Sequence, residues 1–223
     1  MLHGYLPAIL AGLRTTLLIA VLSLLTATIL GMVGAAAKLG PSAALRRVAG
    51  VYTTIIRGVP ELVLMLIVFY GGQAAVNGGG AALGLDYIDV NPFVAGVLTL
   101  GFIFGAYLTE TFRGAILAVP PGQAEAGRAL GLRPMQVRRM VVAPQMIRHA
   151  LPGYTNTWLV MVKATALVSV IGLDDMVNRA GLAASATREP FTFYAALAVI
   201  YLGITSVSLL LLAGLARRYP ARA

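Results

Sequence analysis

Three ionisable side chains lie inside long apolar segments of the sequence, and a charged group in such a place needs a specific role. Glu61 follows Pro60, Glu110 follows a run without charge, and Lys163 lies near the middle of another apolar segment. Inserting an ionisable group into hydrocarbon costs about 2.5 to 3.5 kcal/mol, so each of the three needs a ligand, an opposite charge or a polar pathway. A carboxylate in this setting can attract a cationic ligand, and a lysine can attract an anionic one.

Glu61 is open to two interpretations. Pro60 removes a backbone donor and interrupts a helix, which leaves free polar backbone groups beside the carboxylate. Glu61 can then attract a guanidinium or ammonium group, or it can pair with Arg57, four residues earlier on the same helical face. Neutralising Glu61 distinguishes the two, because loss of function with normal assembly favours the first hypothesis and failed assembly favours the second.

The other charged side chains suggest pairs as well as ligand contacts. Glu110 and Arg113 are one helical turn apart, and we expect a structural ion pair between them. Lys163 either pairs with a carboxylate of another span, which the cost of an unpaired buried charge favours, or lines a pathway and binds the carboxylate of a ligand. Asp174, beside Asp175, is expected to face an entry vestibule or to meet a protein partner.

The segment around Lys163 also carries neutral hydrogen-bonding groups that could line a polar pathway. Serine and threonine in membrane spans more often bond their own backbone or pack between helices, so this role has an alternative. The candidates are Asn156, Trp158, Thr165 and Ser169.

Catalytic and cofactor sites are not expected on this chain. The sequence has no G-x-x-x-x-G-K-[ST] phosphate loop and no cysteine, and its two histidines, His3 and His149, do not have the spacing of metal ligands. We therefore expect no catalytic residue, no metal and no cofactor bound by the chain itself.

The elements that must position these residues are five membrane-spanning helices. The 223-residue chain is 59% hydrophobic and 11% charged, with a mean hydropathy of +0.85, which is typical of a bilayer protein. About 20 apolar residues cross the hydrocarbon core. Uninterrupted spans are predicted at Thr15 to Ala37, Val90 to Thr109 and Phe191 to Ala216, and irregular ones at Tyr52 to Val76 and Leu151 to Gly172.

The distribution of basic residues predicts the orientation, with the N-terminus outside and the C-terminus in the cytoplasm. Eleven of the 17 Lys/Arg residues lie in three segments at membrane edges, so the net charge of +9 does not indicate a nucleic-acid partner. The outer loop from Gly71 to Asn91 has no basic residue and carries the acids Asp86 and Asp89, which we expect to be solvated. It is expected to open with the flexible connection Asn77-Gly78-Gly79-Gly80. The second outer loop, from Asp174 to Glu189, has acidic and basic residues in balance. The three inward basic segments contain Lys38, Arg46 and Arg47; Arg128, Arg133, Arg138, Arg139 and Arg148; and Arg217, Arg218 and Arg222.

One cytoplasmic segment, residues 120–148, looks like a soluble helical hairpin. Prolines precede each of its helices, Gly131 is placed to end the first one, and Pro144 to end the second. The small residues Ala124, Ala126, Gly127 and Ala129 would let another protein approach the first helix closely, and Met135 and Met140 beside Arg138 and Arg139 would suit a groove. An amphipathic loop on anionic lipid headgroups is the alternative.

The same hairpin carries a family resemblance. Glu125-Ala126-Gly127, then Gly131, then Val141-Val142-Ala143-Pro144 resembles the EAA signature of the membrane subunits of bacterial ABC importers, E-A-A, three residues, G, nine residues, I-x-L-P. The spacing agrees throughout, and Gly127, Val141 and Ala143 replace residues of similar size and polarity. In that family the hairpin couples the permease to a separate ATPase, which implies this role for Glu125, Ala126, Gly127, Gly131 and Pro144.

The resemblance covers nearly the whole chain. The segments Arg57 to Glu61, Gly105 to Gly114 and Lys163 to Ser169 are similar to the polar amino-acid permeases. Ala186 to Phe191 and Asn91 to Gly105 are similar to permeases for histidine, arginine, ornithine and lysine, with opine permeases as close relatives.

The resemblance implies an all-α, five-span type I ABC importer transmembrane domain in a bacterial inner membrane. It forms one domain over residues 1–223, with a core at about 13–213. The implied partners are a homologous second permease, two ATP-binding subunits that hold ATP and Mg²⁺, a periplasmic substrate-binding protein, a basic amino acid and membrane lipid. A secondary transporter using Glu61, Glu110 and Lys163 as a charge relay is the alternative, but an odd number of spans and no inverted repeat count against it.

Overall fold

The computed structural model describes residues 2–218, with side chains up to Gly214, and this part of the chain is helical apart from short connections. The basic tail residues Arg217, Arg218 and Arg222, which contributed to the predicted orientation, lie outside the described side chains. The elements in chain order are a 3₁₀ turn (Leu2–Gly4), α1 (Leu6–Leu39), α2 (Ala43–Gly58), α3 (Glu61–Ala82), α4 (Pro92–Leu117), α5 (Pro121–Ala129), α6 (Pro134–Gln136), a π-helical segment (Val137–Val142), α7 (Ala143–Ala164), a 3₁₀ segment (Thr165–Ile171), α8 (Met176–Thr187) and α9 (Pro190–Arg218).

Five helical stretches are long and apolar enough to cross a membrane, which confirms the predicted number of spans. They are Leu6–Leu39, Glu61–Ala82, Pro92–Leu117, Pro134–Ile171 and Pro190–Gly214.

The centre of the fold is the pair of helices α1 and α4, which run in the same direction. Gly34 of α1 packs directly on Thr109 of α4, and a Cβ at Gly101 of α4 would lie 2.6 Å from the side chain of Thr26 of α1. Glycine is required at such contacts because any side chain would separate the backbones. Successive spans cross the membrane in opposite directions, so the first and the third span must run parallel to each other, as α1 and α4 do.

Around this pair the large apolar side chains form two clusters. The larger one joins α1, α3, α4 and α7 and includes Met65, Leu100, Phe104 and Met161, all at most 1% exposed. The smaller one joins the start of α1 to α8 and α9.

The second span differs from its prediction. Tyr52 belongs to a separate helix, α2, and the span begins at Glu61 and continues to Ala82. Val59 and Pro60 are extended (ψ 138° for both) because a residue before proline avoids helical angles and Pro60 cannot donate to the preceding turn. Glu61 is therefore the first residue of α3, where a carboxylate interacts favourably with the helix dipole.

The predicted flexible connection at Asn77 to Gly80 is wrong, because these residues are part of α3. The Asn77 amide accepts a hydrogen bond from Ile88 N–H (2.7 Å) and donates one to the Ile88 carbonyl (3.0 Å), while Gln73 Oε1 accepts one from Val90 N–H (2.8 Å). These contacts hold the returning loop against the helix and offset the low helix propensity of the glycines.

Two further predictions, the end of the second hairpin helix and the outer loop after Asp174, are corrected. Pro144 does not end the second hairpin helix, because the chain passes from the π-helical segment into α7 without interruption. A π-helical turn before the proline accommodates its missing donor and its ring. The outer loop from Asp174 to Glu189 contains α8, which Asp175 caps at its N-terminus by accepting a hydrogen bond from Asn178 N–H (2.8 Å).

Candidate functional site

Glu61 and Arg57 do not form the ion pair that was one of the two interpretations of their spacing. The extended break between α2 and α3 removes them from a common helical face, and both contact Tyr107 of α4 instead. The Tyr107 hydroxyl donates a long hydrogen bond to Glu61 Oε1 (3.4 Å), and the Arg57 guanidinium carbon lies 5.4 Å from the centre of the Tyr107 ring. Among the described side chains, the half-buried Glu61 carboxylate has no cationic partner.

Glu110 is held by two cations. The predicted pair with Arg113 is confirmed, with Arg113 Nε 2.9 Å from Glu110 Oε2. Lys38 at the end of α1 binds the other carboxylate oxygen and also donates to Thr53 Oγ1 (2.6 Å). The role of Lys38 was not predicted from the sequence because its contact with Glu110 depends on the parallel packing of α1 and α4, although a lysine ending a long apolar helix was a usable signal.

These charges border a polar cleft of about 490 Å³ between α1, α2 and α4. Because Glu110 is paired with Lys38, the exposed Arg57 is the remaining cation among the side chains that line it. The lining residues are Lys38, Thr53, Thr54, Arg57, Gly58, Tyr107 and Glu110.

Lys163 has no ion pair within residues 2–214, so the favoured expectation of a carboxylate partner in another span is not met inside this part of the chain. Its side chain is exposed on α7 together with Asn156, seven residues earlier on the same face. An exposed ammonium on a spanning helix cannot face lipid at low cost, so this face of α7 needs a polar neighbour.

The other candidate residues on this segment are less accessible to a ligand than Lys163 and Asn156. The Thr165 hydroxyl donates to the Val162 carbonyl (2.6 Å) and lies 3.4 Å from the hydroxyl of Tyr201, which agrees with the alternative of a backbone-bonded threonine. Trp158 is half-buried against the larger core cluster, and Ser169 is half-buried in the 3₁₀ segment.

At the end of the molecule opposite the Glu110 cluster, Asp174 forms a two-point ion pair with Arg179. The distances are 2.8 Å from Arg179 Nε to Oδ1 and 2.7 Å from Nη2 to Oδ2, and these hydrogen bonds lower the pKa of Asp174. Arg179 Nη1 also donates to the Ala8 carbonyl (3.0 Å), so the pair ties α8 to the start of α1. The predicted vestibule or partner role of Asp174 stays a prediction.

Asp175 is a buried carboxyl that sequence analysis left without a role. It is 1% exposed, and burial raises its pKa to about 6. Its Oδ1 caps α8, while Oδ2 has no hydrogen-bond partner among the described atoms. The D-M-V-N spacing before a short helix was a usable capping signal.

The hairpin ends its first helix as predicted. Gly131 has φ +80°, and the bonds from Gly131 N–H to the Arg128 carbonyl (2.9 Å) and from Leu132 N–H to the Gly127 carbonyl (3.1 Å) form a Schellman motif.

The expected small-residue surface of this helix is only partly correct. Gly127 is buried, and a Cβ there would lie 3.3 Å from Val137, so the close approach at this position is within the hairpin. Glu125 and Ala126 are exposed, as are Met135 and Met140. A pocket of about 290 Å³ lies between the two arms, lined by Ala124, Arg128, Pro134, Val137, Arg138 and Val142.

Comparison with known proteins agrees with this architecture. Residues 27–219 match the family described as the binding-protein-dependent transport system inner membrane component. The histidine/lysine/arginine/ornithine transport system permease protein HisQ of Salmonella typhimurium is 50% identical over 219 residues, covering 98% of this chain and 96% of the relative. The nopaline transport system permease protein NocQ of Agrobacterium fabrum is 43% identical over 199 residues, covering 88% and 84%.

A solved structure has the same fold. The crystal structure of an amino acid ABC transporter with histidines contains a chain that is 34% identical, with a TM-score of 0.81 over 96% of this chain and 95% of that one. The chain described here therefore belongs to the inner-membrane components of binding-protein-dependent transport systems, as a multi-pass permease subunit of an amino-acid ABC transporter with the type I importer fold.

Proposed function

We propose that this subunit takes part in the ATP-driven import of basic L-amino acids, namely arginine, ornithine, histidine and lysine. The observation that carries the proposal is the state of Glu61. The spans contain two acidic residues, Glu61 and Glu110, and Glu110 is neutralised by Lys38 and Arg113. Glu61 is thus the carboxylate that has no cationic partner among the described side chains of the spans, and it can bind the charged side chain of a passing substrate.

Lys163 complements this assignment. A basic amino acid carries an α-carboxylate as well as its side-chain cation, and the ammonium of Lys163 is exposed beside Asn156 without an ion pair in the described region. We propose that this face of α7 lines the pathway and meets the α-carboxylate. The similarity to a permease named for histidine, lysine, arginine and ornithine supports the same substrate class.

Opines are the second candidate class of substrate, supported by the similarity to a nopaline permease. An opine would place an additional carboxylate near the same charged residues.

The hairpin is proposed to dock into a separate ATPase subunit through the exposed Glu125 and Ala126. Gly127 and Gly131 act indirectly in this proposal, because they set the packing and the turn that present those residues. Pro144 lies where the hairpin joins α7. A displacement of the hairpin would therefore be transmitted along α7 to the face that carries Lys163. ATP and Mg²⁺ bind to the ATPase, a second permease completes the pore, and a periplasmic binding protein delivers the substrate.

Uptake by proteoliposomes tests the proposal. The co-purified complex is reconstituted with ATP inside and binding protein outside, and uptake of radiolabelled arginine, ornithine, histidine, lysine and nopaline is compared with that of citrulline, a neutral analogue of arginine. Glu61→Gln removes the charge and keeps the shape, and Asp86→Asn, in the exposed outer loop, is the matched control.

We expect uptake of one or more basic amino acids that requires both ATP and the binding protein. Glu61→Gln should reduce arginine uptake at least tenfold while citrulline uptake and assembly stay unchanged. Uptake without ATP would contradict an ATP-driven importer, and preferential uptake of nopaline would contradict the proposed substrate class. Unchanged arginine uptake by the Glu61→Gln variant would contradict the role of that carboxylate.

A further inference from the structure

Helix α2 is an amphipathic helix that is too short to cross the membrane. Its 16 residues, Ala43–Gly58, extend about 24 Å at 1.5 Å per residue, against about 30 Å of hydrocarbon. It follows the basic end of α1 and precedes the span that begins at Glu61, so it lies at one edge of the membrane.

One face of α2 packs on the protein. Ala49, Thr53 and Ile56 are buried, Thr53 accepts the hydrogen bond from Lys38, and the Tyr52 hydroxyl donates to the Phe102 carbonyl of α4 (2.5 Å). These contacts fix the rotation of the helix about its own axis.

The adjoining face is apolar and uncovered. Four side chains three or four residues apart form an apolar stripe, which consists of Leu45 (56% exposed), Val48 (66%), Val51 (53%) and Ile55 (53%). A stripe of this kind next to a buried face would be costly in water, so it requires an apolar neighbour.

The remaining face is cationic. Arg46, Arg47 and Arg57 lie on it, and α2 contains no acidic residue. Arg46 donates to the carbonyls of Gly40 and Pro41 (2.8 Å each) and is thereby engaged with the end of α1. Arg47 and Arg57 are exposed and make no ion pair with any described side chain.

This combination fits an anionic lipid surface better than a protein. Two acidic side chains lie near α2. Glu110 is already paired with Lys38 and Arg113, and Glu61, which contacts the same Tyr107 as Arg57, makes no ion pair with it, so no described carboxylate is paired with the arginines of α2. A basic face beside an exposed apolar stripe matches the boundary between headgroups and acyl chains, where such helices lie in the plane of the membrane.

We propose that α2 is an interfacial helix that binds anionic phospholipid headgroups through Arg47 and Arg57, with the apolar stripe inserted among the upper acyl chains. Arg47 and the apolar stripe lie apart from the cleft and from the coupling hairpin, whereas Arg57 also borders the cleft through its contact with Tyr107. It would anchor the junction between the first two spans and make the complex sensitive to the anionic lipid content of the membrane.

The chain contains no cysteine, so single-cysteine labelling tests the proposal directly. The co-purified complex carries the environment-sensitive fluorophore NBD at Val51→Cys on the apolar stripe or at Thr54→Cys on the cationic side, and is placed in lipid nanodiscs. Quenching of the fluorophore by aqueous iodide reports exposure to water, and quenching by lipids spin-labelled at carbon 5 or carbon 12 reports depth in the membrane. The carbon-5 label is placed on either phosphatidylglycerol or phosphatidylcholine to compare the two headgroups. Arg47→Gln is compared with Arg188→Gln, which removes an exposed charge outside α2.

We expect the label at position 51 to be quenched more by carbon-5 than by carbon-12 lipid and to be shielded from iodide, which should reach position 54. Labelled phosphatidylglycerol should quench about fivefold more effectively than phosphatidylcholine, the ratio that corresponds to about 1 kcal/mol for one basic residue, here Arg47, which is one helical turn from the label. Arg47→Gln should abolish most of this preference, and Arg188→Gln should leave it unchanged.

Four results overturn the proposal. Iodide quenching at position 51 would place the stripe in water, and stronger carbon-12 quenching would place α2 deep in the hydrocarbon. Shielding from every quencher would mean that a protein subunit covers the stripe. Equal quenching by the two headgroup classes would remove the recognition of anionic lipid.

Discussion

Arg57 and Glu61 are four residues apart, yet they touch the same tyrosine from two sides instead of each other. Arg57 lies over the ring of Tyr107, and Glu61 accepts a hydrogen bond from its hydroxyl. The tyrosine therefore joins α2 and α3 to α4 while the Glu61 carboxylate stays without a cationic partner in the described region. The ring therefore has a structural role, and the acid is free for the binding role that we propose.

The first prediction concerns this tyrosine. Tyr107→Phe keeps the ring beneath Arg57 and removes only a long hydrogen bond, so stability should fall by less than about 1 kcal/mol. Tyr107→Ala also removes the packing on Phe104 and should cost about 2 to 4 kcal/mol. Thermal unfolding of the detergent-solubilised complex measures both, and equal losses for the two variants would show that the hydroxyl carries the effect.

A second prediction concerns the Lys38, Glu110 and Arg113 cluster. Glu110→Gln leaves two cations without a carboxylate near the ends of α1 and α4, and we expect a loss of about 1 to 3 kcal/mol. Lys38→Met in the same background should restore part of that loss, because it removes one of the unpaired charges. Thermal unfolding of the two single variants and the double variant forms the cycle, and strictly additive losses would contradict the coupling.

A third prediction follows from the buried carboxyl of Asp175, whose pKa is raised to about 6 by burial against a normal value of 3.8. The folded state prefers the protonated form, so its contribution to stability is greatest below about pH 4, falls between pH 4 and 6, and is constant above. At about 1.4 kcal/mol per pKa unit the loss is at most about 3 kcal/mol.

Asp175→Asn tests this directly, since it keeps a side-chain oxygen for the cap and removes the titration. Unfolding between pH 4 and 8 should become less dependent on pH. Asp174→Asn is the control, because the bonds to Arg179 lower the pKa of Asp174 below its ordinary value of 3.8, so this group loses its stabilising effect only below about pH 4. Its replacement should leave the pH dependence between pH 4 and 8 unchanged. An unchanged pH profile in Asp175→Asn would exclude burial of the charge as the cause.

Much of this fold could be predicted from composition, because apolar length identifies spans without knowledge of their neighbours. The five spans, the Glu110 and Arg113 pair and the turn at Gly131 each depend on local sequence and are confirmed. The role of Lys38 and the burial of Asp175 depend on which helices meet, which no local pattern contains. The ion pair between Arg57 and Glu61, one of the two interpretations of their spacing, is wrong because i to i+4 pairing assumes a continuous helix, and Pro60 breaks it.

The last prediction concerns the hairpin turn. Gly131 has φ +80°, a conformation that a β-branched residue adopts only at a cost of about 1 to 2 kcal/mol or more, whereas asparagine tolerates it. Gly131→Val should distort the Schellman turn and displace Glu125 and Ala126 from the ATPase that we propose they meet. We expect at least a tenfold loss of uptake, with the membrane spans and α2 unaffected in thermal unfolding. Gly131→Asn should retain most uptake, and because both variants add a side chain at an open position, the contrast between them isolates the backbone conformation. Equal activity of the two variants would mean that the turn geometry does not matter for coupling.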